Sequence, residues 1–524
     1  MRTSLFAVSL LAGFVTWTSC RTGPSSSPDQ DALPEVVSAT PEEERAAHGA
    51  RLYEAHCEVC HGTWGEADGP ASPFLFPAAR DFTSGAFRLV STANGAPTHD
   101  DLVRTLARGV PGSAMPSWSW LPDEDLDALA GHVRELAVEG LATHLFLDGR
   151  SEGEALDEAR ARLTPGPVLP EVAEPAPSEA VLARGRQVYR SHCVACHGED
   201  GTGRDEPQFD EDGSLNWPRD FTAGFLKGEP SSSALGWRIQ AGLPGSAMPA
   251  TDLGASDLQD LVAYVQSLIP AEAQTNRVHR RERIVAHRVA ELPDTPDDAR
   301  WEDLRETHVV LAPLTASRTG RAVTHAYVAA RHDGEHLAVR VRWLDESANL
   351  RIFSDLAEPD ACALQFTTDE SPRLFGMGSR EHRTNIWHWK AIRLTEVAGA
   401  LDLLERVPHV ITEPFRGRVR TDVPLYRPSA SLPAVSTTVD SREASGVGRL
   451  GEDLDASALE VRPQWADGAW SVVFTRPCTP SAEGEVAARP GTRLNVALAV
   501  WNGAVADRGP RKSISIWQVF ELER

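Results

Sequence analysis

The pattern Cys-x-x-Cys-His occurs twice in this chain, as CEVCH at 57–61 and CVACH at 193–197. Two thiols at that spacing, followed at once by an imidazole, make up the attachment pattern of a haem c. The thiols add across the two vinyl groups of one porphyrin, and the histidine is held beneath the iron. The spacing matters because both thioether bonds and the imidazole must reach one ring. Cys57, Cys60, Cys193 and Cys196 are therefore candidate covalent anchors for two haem c groups, with His61 and His197 as candidate iron ligands. A single such pentapeptide arises by chance. Two in one chain, each inside a longer repeat, form a specific signal.

The repeat is legible directly. GARLYEAHCEVCHG (49–62) aligns with GRQVYRSHCVACHG (185–198), ARDFTSGAFR (79–88) with PRDFTAGFLK (218–227), and RGVPGSAMPSW (108–118) with AGLPGSAMPAT (241–251). Each copy ends in a stretch of helical period. Leu126, Leu129, Ala130, Val133 and Leu136 share one face in the first copy, and Leu258, Leu261, Val262, Val265 and Leu268 in the second. Asp123 and Ser256 are expected to cap these helices. Gly49 and Tyr53, like Gly185 and Tyr189, fall on one face of the first helix, where they can pack against the last. The chain has only four methionines, and two of them, Met115 and Met248, sit in the repeated word GSAMP.

Both copies resemble class I monohaem cytochrome c domains. The resemblance implies an all-α fold and a sixth iron ligand from a methionine in the loop before the C-terminal helix. Met115 and Met248 occupy that place. A thioether favours ferrous iron and raises the potential. With both axial positions filled, the implied chemistry is electron transfer.

The elements around the repeat follow from composition. At 524 residues the chain exceeds one core. Its net charge of -23 argues against nucleic acid as a partner. Lysine occurs only at Lys227, Lys390 and Lys512. The N-terminus has Arg2 and then a mostly apolar run, Leu5 to Val15, too short to span a bilayer. The run ends at Cys20. A small residue before this cysteine resembles a bacterial lipoprotein site, with Trp17 where leucine is usual. Lipidation of Cys20 is the reading taken, and ordinary cleavage the alternative. The expected organisation is a signal peptide over 1–20, a tether over 21–42, cytochrome c domains over 43–140 and 179–270 joined by a Pro/Ala-rich linker over 141–178, and a further domain over 280–524.

That last stretch alternates. Leu337, Val339, Val341 and Trp343 share one face of HLAVRVRW, and WSVVFT (470–475) and RLNVALAVW (493–501) follow the same pattern. The expectation is an antiparallel β-sandwich of roughly 240 residues, within the range of one all-β domain. Three segments, LDESANLRIFSDLAEPDACALQF, FGMGSREHRTNIWHWKA and AVWNGAVADRGPRKSISIW, resemble the haem b-binding γ subunit of the ethylbenzene dehydrogenase and dimethylsulfide dehydrogenase family. That resemblance implies one non-covalent haem b held between Met377 and Lys512. His388, in NIWHWKA, is the rival ligand on simple chemistry, and Arg373, Arg380 and Arg383 are candidate propionate partners. It also implies redox protein partners, a molybdopterin oxidoreductase with an iron–sulfur subunit. In the family the subunit stands alone, whereas here it follows two c domains. Cys362 and Cys478 remain as either a disulfide or two buried thiols.

The leading functional reading is a periplasmic, lipid-anchored multihaem electron-transfer protein with no catalytic residues of its own. The alternatives are a dihaem enzyme of the peroxidase or oxidase kind, and cytochrome c domains fused to a β-sandwich binding module that holds no haem.

Overall fold

A computed structural model describes residues 40–174, 176–204, 206–222, 224, 226–270, 279–314, 322–350, 358–370, 372, 377–378, 384–391, 438–444, 450–454, 458–480 and 485–524. Cys20, the signal segment, residues 21–39 of the expected tether, Arg373, Arg380 and Arg383 lie outside these residues, and the last two tether positions belong to the first helix. Arg45–Arg524 form one compact unit.

The first repeat copy consists of α1 (Pro41–His56), the single turn α2 (Glu58–His61), α3 (His99–Arg108), α4 (Asp123–Leu147) and α5 (Glu152–Arg162). The second consists of α6 (Glu179–His192), the single turn α7 (Val194–His197), α8 (Ser232–Ala241) and α9 (Ala255–Leu268). Side chains close the helix ends. Thr98 and Asp101 form a capping box on α3, and Ser151 and Glu154 another on α5. The apolar stripe of α4 runs past the expected domain end at residue 140 to Leu145, and Ala155, Ala159 and Leu163 around α5 pack into the same core. The segment after α5 is pinned along the first copy, with the Leu169 N–H donating to the Ser91 carbonyl at 2.8 Å.

Glycine sets the crossing of α1 with α4 and of α6 with α9. A β-carbon on Gly49 would strike the Ala128 carbonyl of α4, and one on Gly185 the Asp260 carbonyl of α9. The Gly185→Ala change is therefore expected to lower stability by about 1–3 kcal/mol through forced separation of α6 from α9. A thermal melt followed at the haem Soret band reads this, and an unchanged midpoint would contradict the close crossing.

The second copy is not all-helical as expected. Between its motif and α8 it carries a hairpin, β1 (Gln208–Phe209) with β2 (Leu215–Asn216). The C-terminal region also departs from a purely antiparallel sandwich. Its strands are β3 (Arg283–Arg288), β4 (Thr307–Val310), β5 (Ala312–Pro313), β6 (His325–His332), β7 (His336–Leu344), β8 (Ala361–Thr367), β9 (Thr384–Lys390), β10 (Thr438–Ala444), β11 (Leu450–Leu454), β12 (Glu460–Ala466), β13 (Ala469–Pro477), β14 (Arg493–Trp501), β15 (Ser513–Ile514) and β16 (Gln518–Leu522). They form one large mixed sheet in the order β11-β10-β9-β8-β14-β16-β3-β6-β7-β13-β12. The parallel pairs are β16–β3 and β3–β6. The first strand of the region is thus inserted between its last strand and β6, closing N- and C-terminal ends together. The sheet curls, so that Trp343 of β7 meets Trp389 of β9 and Trp470 of β13 inside, with ring centroids 6.4 and 6.2 Å away. Cys362 and Cys478 stand in this core as separate buried thiols.

Candidate functional site

The two Cys-x-x-Cys-His turns sit in matching scaffolds. The Tyr53 hydroxyl donates to the Gly62 carbonyl at 2.7 Å, and the Tyr189 hydroxyl to the Gly198 carbonyl at 2.9 Å. Both glycines are left-handed, at φ 80° and 76°, so each chain turns sharply as it leaves its motif. His61 Nδ1 lies 2.9 Å from the Arg80 carbonyl, and His197 Nδ1 lies 3.0 Å from the Arg219 carbonyl. A carbonyl accepts only, so Nδ1 carries the proton and Nε2 is left for a metal. Phe82 stacks on His61 at 4.5 Å and Phe221 on His197 at 4.7 Å, fixing both ring planes. Burial lowers the pKa of both imidazoles, which favours the neutral form that ligates.

The methionine loops match equally well. Met115 and Met248 accept at their carbonyls from Val110 and Leu243, each at 3.1 Å. Their own N–H groups donate to Ser113 and Ser246, each at 3.3 Å. Cys57, Cys60, His61 and Met115 line a cavity of about 510 Å³, and Cys193, Cys196, His197 and Met248 line the same cavity. The two clefts are continuous. Paired thiols, an imidazole with Nε2 available, a thioether and apolar walls such as Leu106, Val133, Leu235 and Val265 fit a haem in each half.

Met115→Ala is expected to remove part of the weak long-wavelength sulfur-to-iron band of the ferric protein, and Met248→Ala the rest. Full persistence of the band in the double variant would exclude both as ligands.

The third candidate site lies in the β region. Alternation along β9 sends Trp387 and Trp389 into the core and His388 and Lys390 to the opposite face. His388 therefore stands on the face of β9 away from the core that Trp387 and Trp389 enter. Its ring stands 5.1 Å from that of Trp501, at the end of β14. The Lys512 ammonium sits over the same indole, 4.9 Å from its centroid. Burial pushes the Lys512 pKa down to about 8. The two rival ligands thus share one aromatic neighbour. Met377 is half-buried in a turn before β9, next to the left-handed Gly378, and is flanked by residues outside those described.

The β region abuts the shared cavity, to which Pro313, Ala322 and Thr324 contribute. The Phe76 N–H of the first copy donates to the Leu314 carbonyl at 2.9 Å, and the Leu314 N–H donates to the Lys512 carbonyl at 2.8 Å. The Phe76 ring in turn meets Trp217 of the second copy edge-on at 5.5 Å. None of this junction was visible in the motifs. The buried Asp210, which accepts from Arg88 at 2.5 Å across the two copies, was also missed. The alignment of Arg88 with Lys227 carried the one available signal.

Three stretches of the chain match known protein families. Residues 44–133 match the family described as cytochrome C oxidase, cbb3-type, subunit III, residues 182–268 match cytochrome c, and residues 426–513 match ethylbenzene dehydrogenase. A Haloferax mediterranei protein described as a respiratory nitrate reductase heme subunit is 24% identical over 232 residues, 44% of this chain and 68% of that protein. Among solved structures, the Kuenenia stuttgartiensis reducing HAO-like protein complex matches at 29% identity, covering 43% of this chain and 96% of the matched chain, with a TM-score of 0.36. A carbohydrate binding module of family 9 from Caldicellulosiruptor kristjanssonii matches at 10% identity, over 46% of this chain and 94% of its own, with a TM-score of 0.26. The chain thus carries two cytochrome c domains, one in each copy of its internal repeat, joined to a region of the ethylbenzene dehydrogenase kind.

Proposed function

We propose that this chain is a multihaem electron-transfer protein with two covalent c haems and one b haem. The carriers are the two repeat copies and the β region over 280–524, the last serving as the haem b-binding domain. Cys57, Cys60, Cys193 and Cys196 hold the c haems covalently. His61 with Met115, and His197 with Met248, bind their irons, and Met377 with Lys512 bind the third. A bound haem supplies reversible one-electron chemistry. The protein's part would be to offer each iron two side-chain ligands, exclude water and hold the carriers close.

The observation that carries this reading is the junction at Phe76. One apolar cavity accommodates both c-type motifs, and its wall is two backbone hydrogen bonds from Lys512. Electrons tunnel more readily through bonded paths than across empty space, so three carriers meeting at one seam suit a relay. Similarity to a protein described as a heme subunit supports a place beside a larger redox enzyme, here a molybdopterin oxidoreductase with an iron–sulfur subunit.

A pyridine haemochrome spectrum of purified protein tests the reading. Two c-type haems for each b-type haem are expected, with no carbon monoxide adduct of the reduced protein. A missing b component leaves the binding-module alternative, and rapid carbon monoxide binding at a c haem leaves the enzyme alternative.

The same proposal puts the chain in the periplasm, held to the membrane by an acylated Cys20. Among the described residues no helix is long and apolar enough to cross a membrane. Cys20→Ser is expected to move the protein from the membrane fraction to the soluble periplasmic fraction. Wild-type protein already soluble there would exclude the anchor.

A further inference from the structure

Lys227 has no part in the chemistry described so far, although lysine is otherwise confined to Lys390 and Lys512. In the repeat it stands where the first copy has Arg88, and both line the continuous cavity. So do Arg80 and Arg219, another pair of repeat equivalents.

Several residues at this seam face their own equivalents. A β-carbon on Gly228 would lie 3.1 Å from Leu89, its counterpart in the first copy. The Arg104 guanidinium stands 5.5 Å from the ring of Trp237, which is again its counterpart. Contacts between equivalent positions mark an interface of twofold type, in which the same patch serves both sides. The two clefts therefore open toward each other, and the four cations gather where they join.

The carboxylates near this junction include Asp81, Asp210, Asp212 and Asp220. Asp210 pairs with Arg88 at 2.5 Å. Arg80 is influenced by Asp210, Asp212 and Asp81, and by Arg88 as a like charge. Burial, with the like charges of Arg88, Arg219 and Arg80, pushes the Lys227 pKa down to about 8 against the opposing effect of Asp210. Among the described residues, neither the Arg80 guanidinium nor the Lys227 ammonium hydrogen-bonds to a carboxylate. Half-buried cations such as Arg80 and Lys227, with no carboxylate among the described residues hydrogen-bonded to them, are costly unless an anion completes the site. A haem brings two carboxylates, its propionates, and is otherwise apolar.

We propose that Arg80, Arg88, Arg219 and Lys227 form one cationic clamp, contributed by both repeat copies, that binds the propionates of both c haems and makes the pair a single electrostatically coupled redox unit. This rests on the reading of both copies as haem c sites. A positive group in a water-poor seam stabilises the reduced state of each neighbouring iron. Because the clamp is shared, one charge acts on both.

The experiment begins with intact-mass measurement, which must find two covalent haems in the wild type. Failure there defeats the haem c reading itself and is separate from the clamp. Spectroelectrochemical titration at low ionic strength then reads the clamp. Lys227→Met is expected to shift the redox equilibrium of both c haems toward the oxidised state by about tenfold, or about 59 mV for one electron. Lys227→Arg is expected to restore it. A shift of one haem alone, or of neither, with both haems in place, overturns the shared clamp. Should Lys227→Met lose haem, the wild-type Soret circular dichroism decides. Two haems facing one another across one cavity give a bisignate couplet, and simple additive bands overturn the proposal.

Discussion

Replacing Cys57 and Cys60 by alanine is expected to remove one covalently bound haem from the mature protein, and replacing Cys193 and Cys196 the other. The effect is all-or-none because a thioether bond either forms or does not. It should appear as the loss of one haem mass in an intact-mass spectrum of protein made in a host competent for c-type maturation. The scaffold explains why nothing compensates. Each motif is a single helical turn, pinned at its end by the Tyr53 and Tyr189 hydroxyls. Each also presents one imidazole whose other nitrogen is already committed to a backbone carbonyl. The wall facing it is apolar, and Leu106, Val133, Phe82 and Phe87 belong both to that wall and to the core of the first copy. A ligand that binds only the folded state stabilises it by mass action, and a covalent one cannot dissociate. The Cys57/Cys60 variant is therefore expected to lose its haem and to melt at a lower temperature. Wild-type protein without any haem adduct would defeat the reading of both copies.

Legibility differed between the two halves of the chain for a physical reason. Local spacing carries the motifs, because the turn that binds a haem is itself local. The same holds for the helices. Of the expected stripe, Leu258, Leu261, Val262 and Val265 are buried in α9, and Leu268 at its end is partly buried. Caps were less legible. Asp123 is the first residue of α4 rather than its cap, which is Pro122, and Ser256 lies inside α9 behind a Gly254 cap. Strands were legible as faces and not as neighbours. The alternation of 336–343, 470–475 and 493–501 became β7, β13 and β14. Period two tells which side chains share a face and leaves the partner strand open. Nothing in RIVAHR or QVFEL announces that β3 runs parallel to β16 and to β6. The alternation of NIWHWKA did contain the answer for His388, since its tryptophan neighbours claim the core face. The junction of Phe76, Leu314 and Lys512 joins three distant stretches through backbone atoms, which leave no trace in residue type.

Lys512→Ala is expected to abolish or alter the b-type spectrum, while Lys390→Ala leaves it intact. Lysine ligates only as the neutral amine, so the proton must leave first. For an exposed lysine, with a pKa near 10.4, that costs roughly 4.6 kcal/mol at pH 7. Burial brings Lys512 down to about 8, and the remaining cost is roughly 1.4 kcal/mol. Trp501 opposes this in part, because an indole face 4.9 Å away favours the charged ammonium. The neutral amine is nevertheless within reach of a modest bond to iron. His388 competes from the same indole, 5.1 Å away, and an imidazole needs no such deprotonation at neutral pH. Chemistry alone therefore favours the histidine, while the family pattern and the buried amine favour the lysine. The variants separate them. With Lys512 as ligand, His388→Ala keeps a low-spin b haem and Lys512→Ala does not, and Met377→Ala disturbs the opposite face. If His388→Ala abolishes the low-spin spectrum and Lys512→Ala leaves it untouched, the lysine is excluded and histidine–methionine ligation takes its place.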